Sequence, residues 1–304
     1  MALDPNRFVL DCRGRILDCT PHATHGAHVM GVLNVTPDSF SDGGDYLYPD
    51  CALRRVETMA TEGATLIDIG GASSRPRGSV YGAGAVLVPP ETELQRVLPV
   101  VQAVTTRFPE VIISVDTYHA DVAEAVLEAG AHLINDITGL RISTGVAEIA
   151  ARFGAPLVVM HAVGDPGQMP HEVSHADVVG DVCDSLASSV QTARSAGVQH
   201  VIVDPGFGFG KTPRQNLELL DRIDALLSLD CPILIGVSRK STIGWALGRR
   251  DVHKRLYGAL GATAVAVLRG ASIVRTHDVG ATVDMLRVMG MTTTGRLALQ
   301  EANS

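Results

Sequence analysis

Polar side chains sit at the downstream end of each short apolar run between residues 28 and 277. Asn34 closes HVMGVLN, Asp68 lies inside TLIDIG, Asp116 closes VIISVD, and Asn135 with Asp136 closes HLIND. His161 closes PLVVMH, Asp204 closes HVIVD, Ser238-Arg239-Lys240 follows PILIGV, and Arg275 and His277 close ASIVRTH. Contact with solvent accounts for some polarity at strand ends. Acid, amide and cation together at the same point of successive runs point further, to a built site. The residue types divide into two chemistries. Asp116, Asn135 and Asp204 suit a flat heterocycle bearing N–H and NH₂ groups, because a buried carboxylate accepts two parallel N–H bonds strongly. Arg75, Lys240, Arg275 and His277 are cations, and arginine grips planar oxyanions bidentately, so they suit a diphosphate or a carboxylate. The expected ligand has a guanine-like head and an anionic tail. Asp68, one step inside its run, reads equally as a direct ligand contact or as support for its neighbours.

Those residues need a frame that brings eight run ends together. The runs at 28–34, 65–70, 111–116, 132–136, 156–161, 200–204, 232–238 and 271–277 are nearly continuous in hydrophobicity, as parallel strands covered by helices are. Between them lie stretches of helical period near 51–63, 91–107, 119–130, 144–153, 176–196, 213–228, 253–269 and 278–289. Eight β-then-α units predict a (β/α)₈ TIM barrel, whose strand ends converge on one mouth. FVLDCRGRILDC at 8–19 reads as a β-hairpin turning at Arg13-Gly14, a lid on the barrel bottom. The expected organisation is a hairpin segment at 1–27, the barrel at 28–294 and a polar tail at 295–304. Long Gly- and Pro-rich loops follow strands one, two and five, at 31–44, 70–90 and 162–176, where they could close over a substrate.

Composition excludes several classes. The 304 residues are 46% hydrophobic and carry 25 basic against 33 acidic side chains, a net charge of −8. That balance argues against nucleic acid or an anionic membrane surface as partner. No apolar run approaches the length of a membrane span, the first residues lack a basic-then-apolar leader, and five cysteines form no C-x-x-C pair. A soluble, cytoplasmic protein with small-molecule substrates is expected. Three patterns are decoys. DPGFGFGKT at 204–212 has Pro205 where a phosphate loop needs glycine. His171-Glu172-Val173-Ser174-His175 follows Pro170 in a loop, whereas a zinc-protease site needs a helix. His22, His25 and His28 also lie in loop context, and Trp245 and the methionines read as packing.

The longer motifs resemble a known family. GVLNVTPDSFSDGG (31–44) and GATLIDIGGASSRP (63–76) are similar to the two signatures of dihydropteroate synthases. SVDT, NDITG, MHxxGxP, DPGFGFGKT, GVSRKS and VRTHDV continue the match in order from about residue 8 to 290. The resemblance implies condensation of 6-hydroxymethyl-7,8-dihydropterin pyrophosphate with p-aminobenzoate, giving 7,8-dihydropteroate and pyrophosphate in folate synthesis. It implies that Asp116, Asn135, Asp204 and Lys240 hold the pterin with Met160 lining the pocket. Asn34 would bind Mg²⁺ and pyrophosphate, and Arg275 and His277 the phosphates. Ser74, Arg75, Pro76, Phe209 and Ser241 would shape the p-aminobenzoate pocket, and the first loop, with Asp38 and Phe40, would fold over during turnover. Asp116, Lys240, Arg75 and Asp38 are the residues expected to carry catalysis, by an SN1-like loss of pyrophosphate. A homodimer through late helices is implied too.

The match departs from the family's GGESTRPGA at Ala72, Ser74 and Arg77-Gly78, which bears on p-aminobenzoate affinity and sulfonamide response. Two other readings stay open. A corrinoid-linked methyltransferase would keep the three pterin-facing residues without the Arg275-His277 pair. A degenerate homologue would bind pterin without turnover.

Overall fold

The computed structural model describes residues 7–21, 26–36, 48–72, 87–165, 170, 172–248 and 251–293. Two antiparallel strands, β1 (Val9–Asp11) and β2 (Ile16–Asp18), come first. Their two-residue turn has Arg13 and Gly14 both at positive φ, 55° and 90°. Positive φ at both central positions matches the right-handed twist of the flanking strands, which is why a glycine stands there.

The next eight strands close into a parallel barrel: β3 (His28–Asn34), β4 (Leu66–Gly70), β5 (Ile112–Asp116), β6 (Leu133–Asp136), β7 (Leu157–Met160), β8 (Val201–Asp204), β9 (Ile233–Ile235) and β10 (Ala271–Thr276), with β10 pairing β3. All eight predicted runs are strands. The connecting helices are α1 (Tyr48–Thr61), α2 (Pro90–Arg107), α3 (Ala120–Glu128), α4 (Gly145–Phe153), α5 (Val178–Ser195), α6 (Pro213–Asp221), α7 (Ser241–Ala246), α8 (Leu256–Leu268) and α9 (Val279–Thr293).

Strand alternation sorts side chains into the barrel interior and the helix-facing surface. Met30, Leu66, Ile112, Leu133, Val158, Ile202, Leu234 and Ile273, one from each strand, form the lower interior layer. Phe8, Leu10, Cys12, Leu17 and Cys19 of the hairpin pack onto that layer from below. The hairpin side chains thus cover the lower end of the barrel interior. A second, larger apolar shell lies between strands and helices.

Three helix assignments differ from the sequence reading. The stretch 213–228 breaks at Arg222, and a 3₁₀ segment, Ile223–Leu229, follows it. Ile223 and Leu226, three apart, are buried there, which fits the three-residue period of that helix. Helix α7, STIGWA, went unpredicted because Thr242, Ile243 and Gly244 are poor helix formers, and burial of its first four residues holds it instead. The predicted stretch 253–269 starts late, since Val252–Lys254 form a separate 3₁₀ turn before α8.

Candidate functional site

Moving two residues along each strand from the apolar layer reaches the next interior side chain. From Leu66 that is Asp68, from Ile112 Ser114 and then Asp116, from Leu133 Asn135, from Ile202 Asp204, and from Ile273 Arg275. The register aligns Asp68 with Ser114, and Asn34, Gly70, Asp116 and Asn135 in one row above them. Met160 aligns with Asp204 on the opposite side. Gly70 contributes no side chain to its row, and a Cβ there would stand 3.5 Å from that of Asp116.

Asp68 supports its neighbours. It is fully buried and accepts three hydrogen bonds: from Ser114 Oγ at 2.5 Å, Asn135 Nδ2 at 3.1 Å and Arg275 Nε at 2.7 Å. Arg275 also donates from Nη2 to Asp116 at 3.5 Å. One guanidinium thus joins the acidic side of the mouth to β10. Burial works against its charge, but Asp68, Asp116 and Asp204 outweigh that and hold its pKa above the ordinary value.

Asp116 is pushed up to about 8, first by burial and then by the charge of Asp68, against the pull of Arg275. Burial raises Asp204 as well, opposed by the Gly206 N–H, which donates to Asp204 Oδ1 at 2.7 Å, and by Lys240. Lys240 is pulled down to about 7 by burial and by Arg275, with Asp204 and Asp116 opposing. Its ammonium lies 3.8 Å from the Phe209 ring centroid, a cation–π contact. The mouth is short of compensated charge, which suits it to a ligand carrying both N–H donors and anionic oxygens.

Phe209 belongs to a small apolar cluster with Tyr118, Ile137, Met160 and Ala162, a flat wall beside the carboxylates. Ser241 is buried at the start of α7. The turn before it places Arg239 at φ 62°, and that strained residue is held by Asp278 at 2.7 Å and by Arg255, which donates to its carbonyl at 2.8 Å. This clamp aims Lys240 into the mouth.

His277 is not a cation here. Burial first, then Arg239 and Arg275, push it down to about 3. Its Nδ1 lies 3.2 Å from Ser238 Oγ, which also accepts from the His277 backbone N–H at 3.2 Å. Asp136 and His161, by contrast, lie away from the mouth, because alternation turns them to the helix side. Asp136 accepts from the Thr138 and Leu140 N–H groups and builds the turn after β6. His161 accepts from Lys211 at 2.8 Å.

Asn34 is exposed at the rim and offers one amide oxygen. Among the described residues no three His, Cys, Asp or Glu side chains form a metal-holding group. One neutral oxygen fits a Mg²⁺ brought in on a diphosphate, whose oxygens and waters fill most of the shell, rather than a resident ion. Asp38, Phe40, Ser74, Arg75, Pro76 and Arg77 lie outside the described residues. The loop around Glu172 and His175 is non-helical before α5, so those residues form no zinc-protease helix face.

Sequence reasoning missed the supporting set. Ser114 sits in a quoted motif, and its place two residues before Asp116 on an alternating strand was the available signal. Arg55, which donates to the His277 carbonyl at 2.8 Å, and Arg255 carry no local signal, since each acts across a long sequence separation. Glu93 is buried beneath Gly71, with burial pushing it up to about 7.

The family profile described as "Pterin binding enzyme" matches residues 30–277. The dihydropteroate synthase of Escherichia coli strain K12 is 43% identical over 267 residues, covering 87% of this chain and 91% of that protein. A Haloferax volcanii protein named as a probable bifunctional folylpolyglutamate synthase/dihydropteroate synthase is 43% identical over 265 residues, 86% of this chain. The chain spans 30% of that longer relative. A solved Xanthomonas albilineans dihydropteroate synthase with 4-aminobenzoic acid superposes with a TM-score of 0.84 at 40% identity, over 94% of this chain and 98% of that one.

Proposed function

The chain belongs to the pterin-binding enzymes and, among them, to the dihydropteroate synthases, and from that premise we propose how its barrel mouth works as a transferase. It joins 6-hydroxymethyl-7,8-dihydropterin pyrophosphate to p-aminobenzoate, releasing pyrophosphate and forming 7,8-dihydropteroate. The single observation that carries the mechanism is the Arg275 guanidinium bridging Asp68 and Asp116 at the open side of the mouth.

Asp116, Asn135 and Asp204 bind the pterin through its ring N–H and NH₂ groups. Lys240 accompanies them from above Phe209, and Met160 closes the apolar side. A carboxyl that burial has left reluctant to ionise gains most from a partner that brings positive charge. Asp116 is such a group, and it stabilises the cationic pterin methylene that forms as pyrophosphate leaves. Arg275 faces both events: its bond to Asp116 is long enough at 3.5 Å to yield to a phosphate oxygen, while the Asp68 bond keeps the guanidinium in place. His277 joins Arg275 in holding the diphosphate. Its proton affinity rises once the diphosphate sits beside it. Asn34 would hold Mg²⁺ against the departing diphosphate, and the ion would supply charge neutralisation there.

We assign p-aminobenzoate to Phe209 and Ser241, and the motif match adds Ser74, Arg75 and Pro76 to its binding and Asp38 to catalysis. The arylamine is already unprotonated at neutral pH, so attack on the methylene needs no strong base. A homodimer fits the late helices. Trp245, Leu247, Tyr257, Val265 and Leu268 leave apolar side chains on the surface of α7 and α8, Tyr257 with 84% exposure. No helix among the described residues is long and apolar enough to cross a membrane, and a cytoplasmic location is the reading we adopt.

The test is pyrophosphate release by the purified chain with the pterin substrate, with and without p-aminobenzoate. Release that depends on the arylamine supports the synthase. Tight pterin binding with no release would replace it by the degenerate-homologue reading.

A further inference from the structure

Lys211, dismissed with the false phosphate loop, is 1% exposed and lies under the site instead of in it. Its Nζ lies among three acceptors, His161 Nδ1 at 2.8 Å, the Phe209 carbonyl at 3.0 Å and the Gly206 carbonyl at 3.1 Å, one for each proton of an ammonium; burial pulls its pKa down to about 7, with Asp204 opposing. No carboxylate is among them. The chain is wound around this cation. Gly206, Gly208 and Gly210 alternate at φ 66°, 83° and 59°. A Cβ at Gly206 would stand 1.8 Å from the His161 carbonyl oxygen, so only glycine permits this turn. The outside of the turn is pinned as well. Asn216 Oδ1 accepts from the Gly208 N–H at 2.7 Å, and the Gly210 carbonyl lies 3.0 Å from His175 Nε2.

A loop that points two carbonyls inward at one spot beside the His161 imidazole nitrogen would ordinarily leave buried acceptors unmatched and destabilised. The cation in their midst removes that cost. His161 is suited to its part, being held neutral by burial and by Lys211 so that Nδ1 stays an acceptor. Immediately above lie Phe209, whose ring carries the Lys240 ammonium, and Asp204, bonded to the same Gly206.

We propose that Lys211 is a positioning residue, a built-in cation that does the work of a bound monovalent ion by folding the 205–212 loop so that Phe209 presents its ring to the arylamine substrate. It acts through the Phe209 backbone and touches no reacting atom. The inference rests on the synthase reading, and wild-type turnover is measured first, so failure of that reading appears before any variant is made.

The experiment compares Lys211→Met and Lys211→Ala with wild type for kcat, for KM of each substrate and for thermal midpoint. Lys211→Met should raise KM for p-aminobenzoate about tenfold, the scale of one lost buried contact, while KM for the pterin pyrophosphate stays within about threefold. In Lys211→Ala, propylammonium, which replaces the missing atoms and charge, should restore the p-aminobenzoate KM, whereas propanol of the same size should not. A fall in thermal midpoint with both KM values unmoved, an equal rise in both, or no rescue by propylammonium would overturn the proposal. If neither variant folds, the wild-type enzyme with isotope-labelled lysine decides. A slowly exchanging ammonium signal that shifts when p-aminobenzoate binds supports the assignment, and one that ignores p-aminobenzoate refutes it.

Discussion

Replacing Asp68 by asparagine keeps the shape of the support and removes its charge. The amide can turn its NH₂ toward Ser114, whose hydroxyl can accept, and present its oxygen to Asn135 and Arg275, the donors at 3.1 Å and 2.7 Å. What is lost is the charge under Arg275. Two unit charges about 4 Å apart at an effective dielectric of 20 interact by about 4 kcal/mol. The retained hydrogen bond returns part of this, leaving about 2 kcal/mol, or roughly 30-fold in kcat/KM. Asp68→Ala, which strands the guanidinium, should cost about 3–5 kcal/mol. The pH profile adds a sign. Asp68 is the main charge raising Asp116, and losing it also frees Arg275 to pair with Asp116, so both effects lower the Asp116 pKa from about 8. Since the ionised carboxylate is the working form, the acid limb of kcat/KM should move to lower pH in Asp68→Asn. Steady-state pyrophosphate release across pH, with circular dichroism to show an intact fold, measures both. Activity within about threefold of wild type with an unmoved acid limb would refute the reasoning.

Asp116→Asn should lower kcat about 100-fold, near 3 kcal/mol, by removing the group that stabilises the pterin cation, and near-normal turnover in the same assay would show that the role lies elsewhere. Gly206→Ala forces a Cβ into the His161 carbonyl and should lower the thermal midpoint by roughly 5–10 °C, equivalent to about 2–3 kcal/mol. An unchanged melting curve would mean the loop can refold around it. Chelation followed by gel filtration should leave protein without bound metal and with little turnover, restored by added Mg²⁺, and full activity in chelator would contradict the assignment of Asn34.

The fold was largely legible because strand content and spacing are local properties. Eight continuous apolar runs, each followed by a helical stretch, leave few architectures open, and Arg13-Gly14 announced its hairpin turn. What the sequence concealed depends on contacts between distant segments. Helix α7 exists because Ser241 to Gly244 are buried, in spite of their weak propensities. The site was legible where alternation could be applied: Asp116, Asn135, Asp204 and Arg275 fall on interior positions counted in twos from the apolar layer. The same count shows why Asp136 and His161, each one residue out of phase, turn away. Charge state was not legible. His277 reads as a cation in a list of residues, but burial and then Arg239 and Arg275 push its pKa down. Lys211 was hidden because its partners are two backbone carbonyls and a histidine fifty residues away, and no side-chain pattern records those.

The measurement that bears most directly on the account is a crystal structure of this chain with 6-hydroxymethyl-7,8-dihydropterin pyrophosphate. The bicyclic ring should lie against Asp116, Asn135 and Asp204 with its diphosphate on Arg275 and His277, and Arg275 should keep its Asp68 bond while releasing Asp116. A ring bound away from those three side chains, or a diphosphate that leaves the Arg275–Asp116 contact intact, would contradict it.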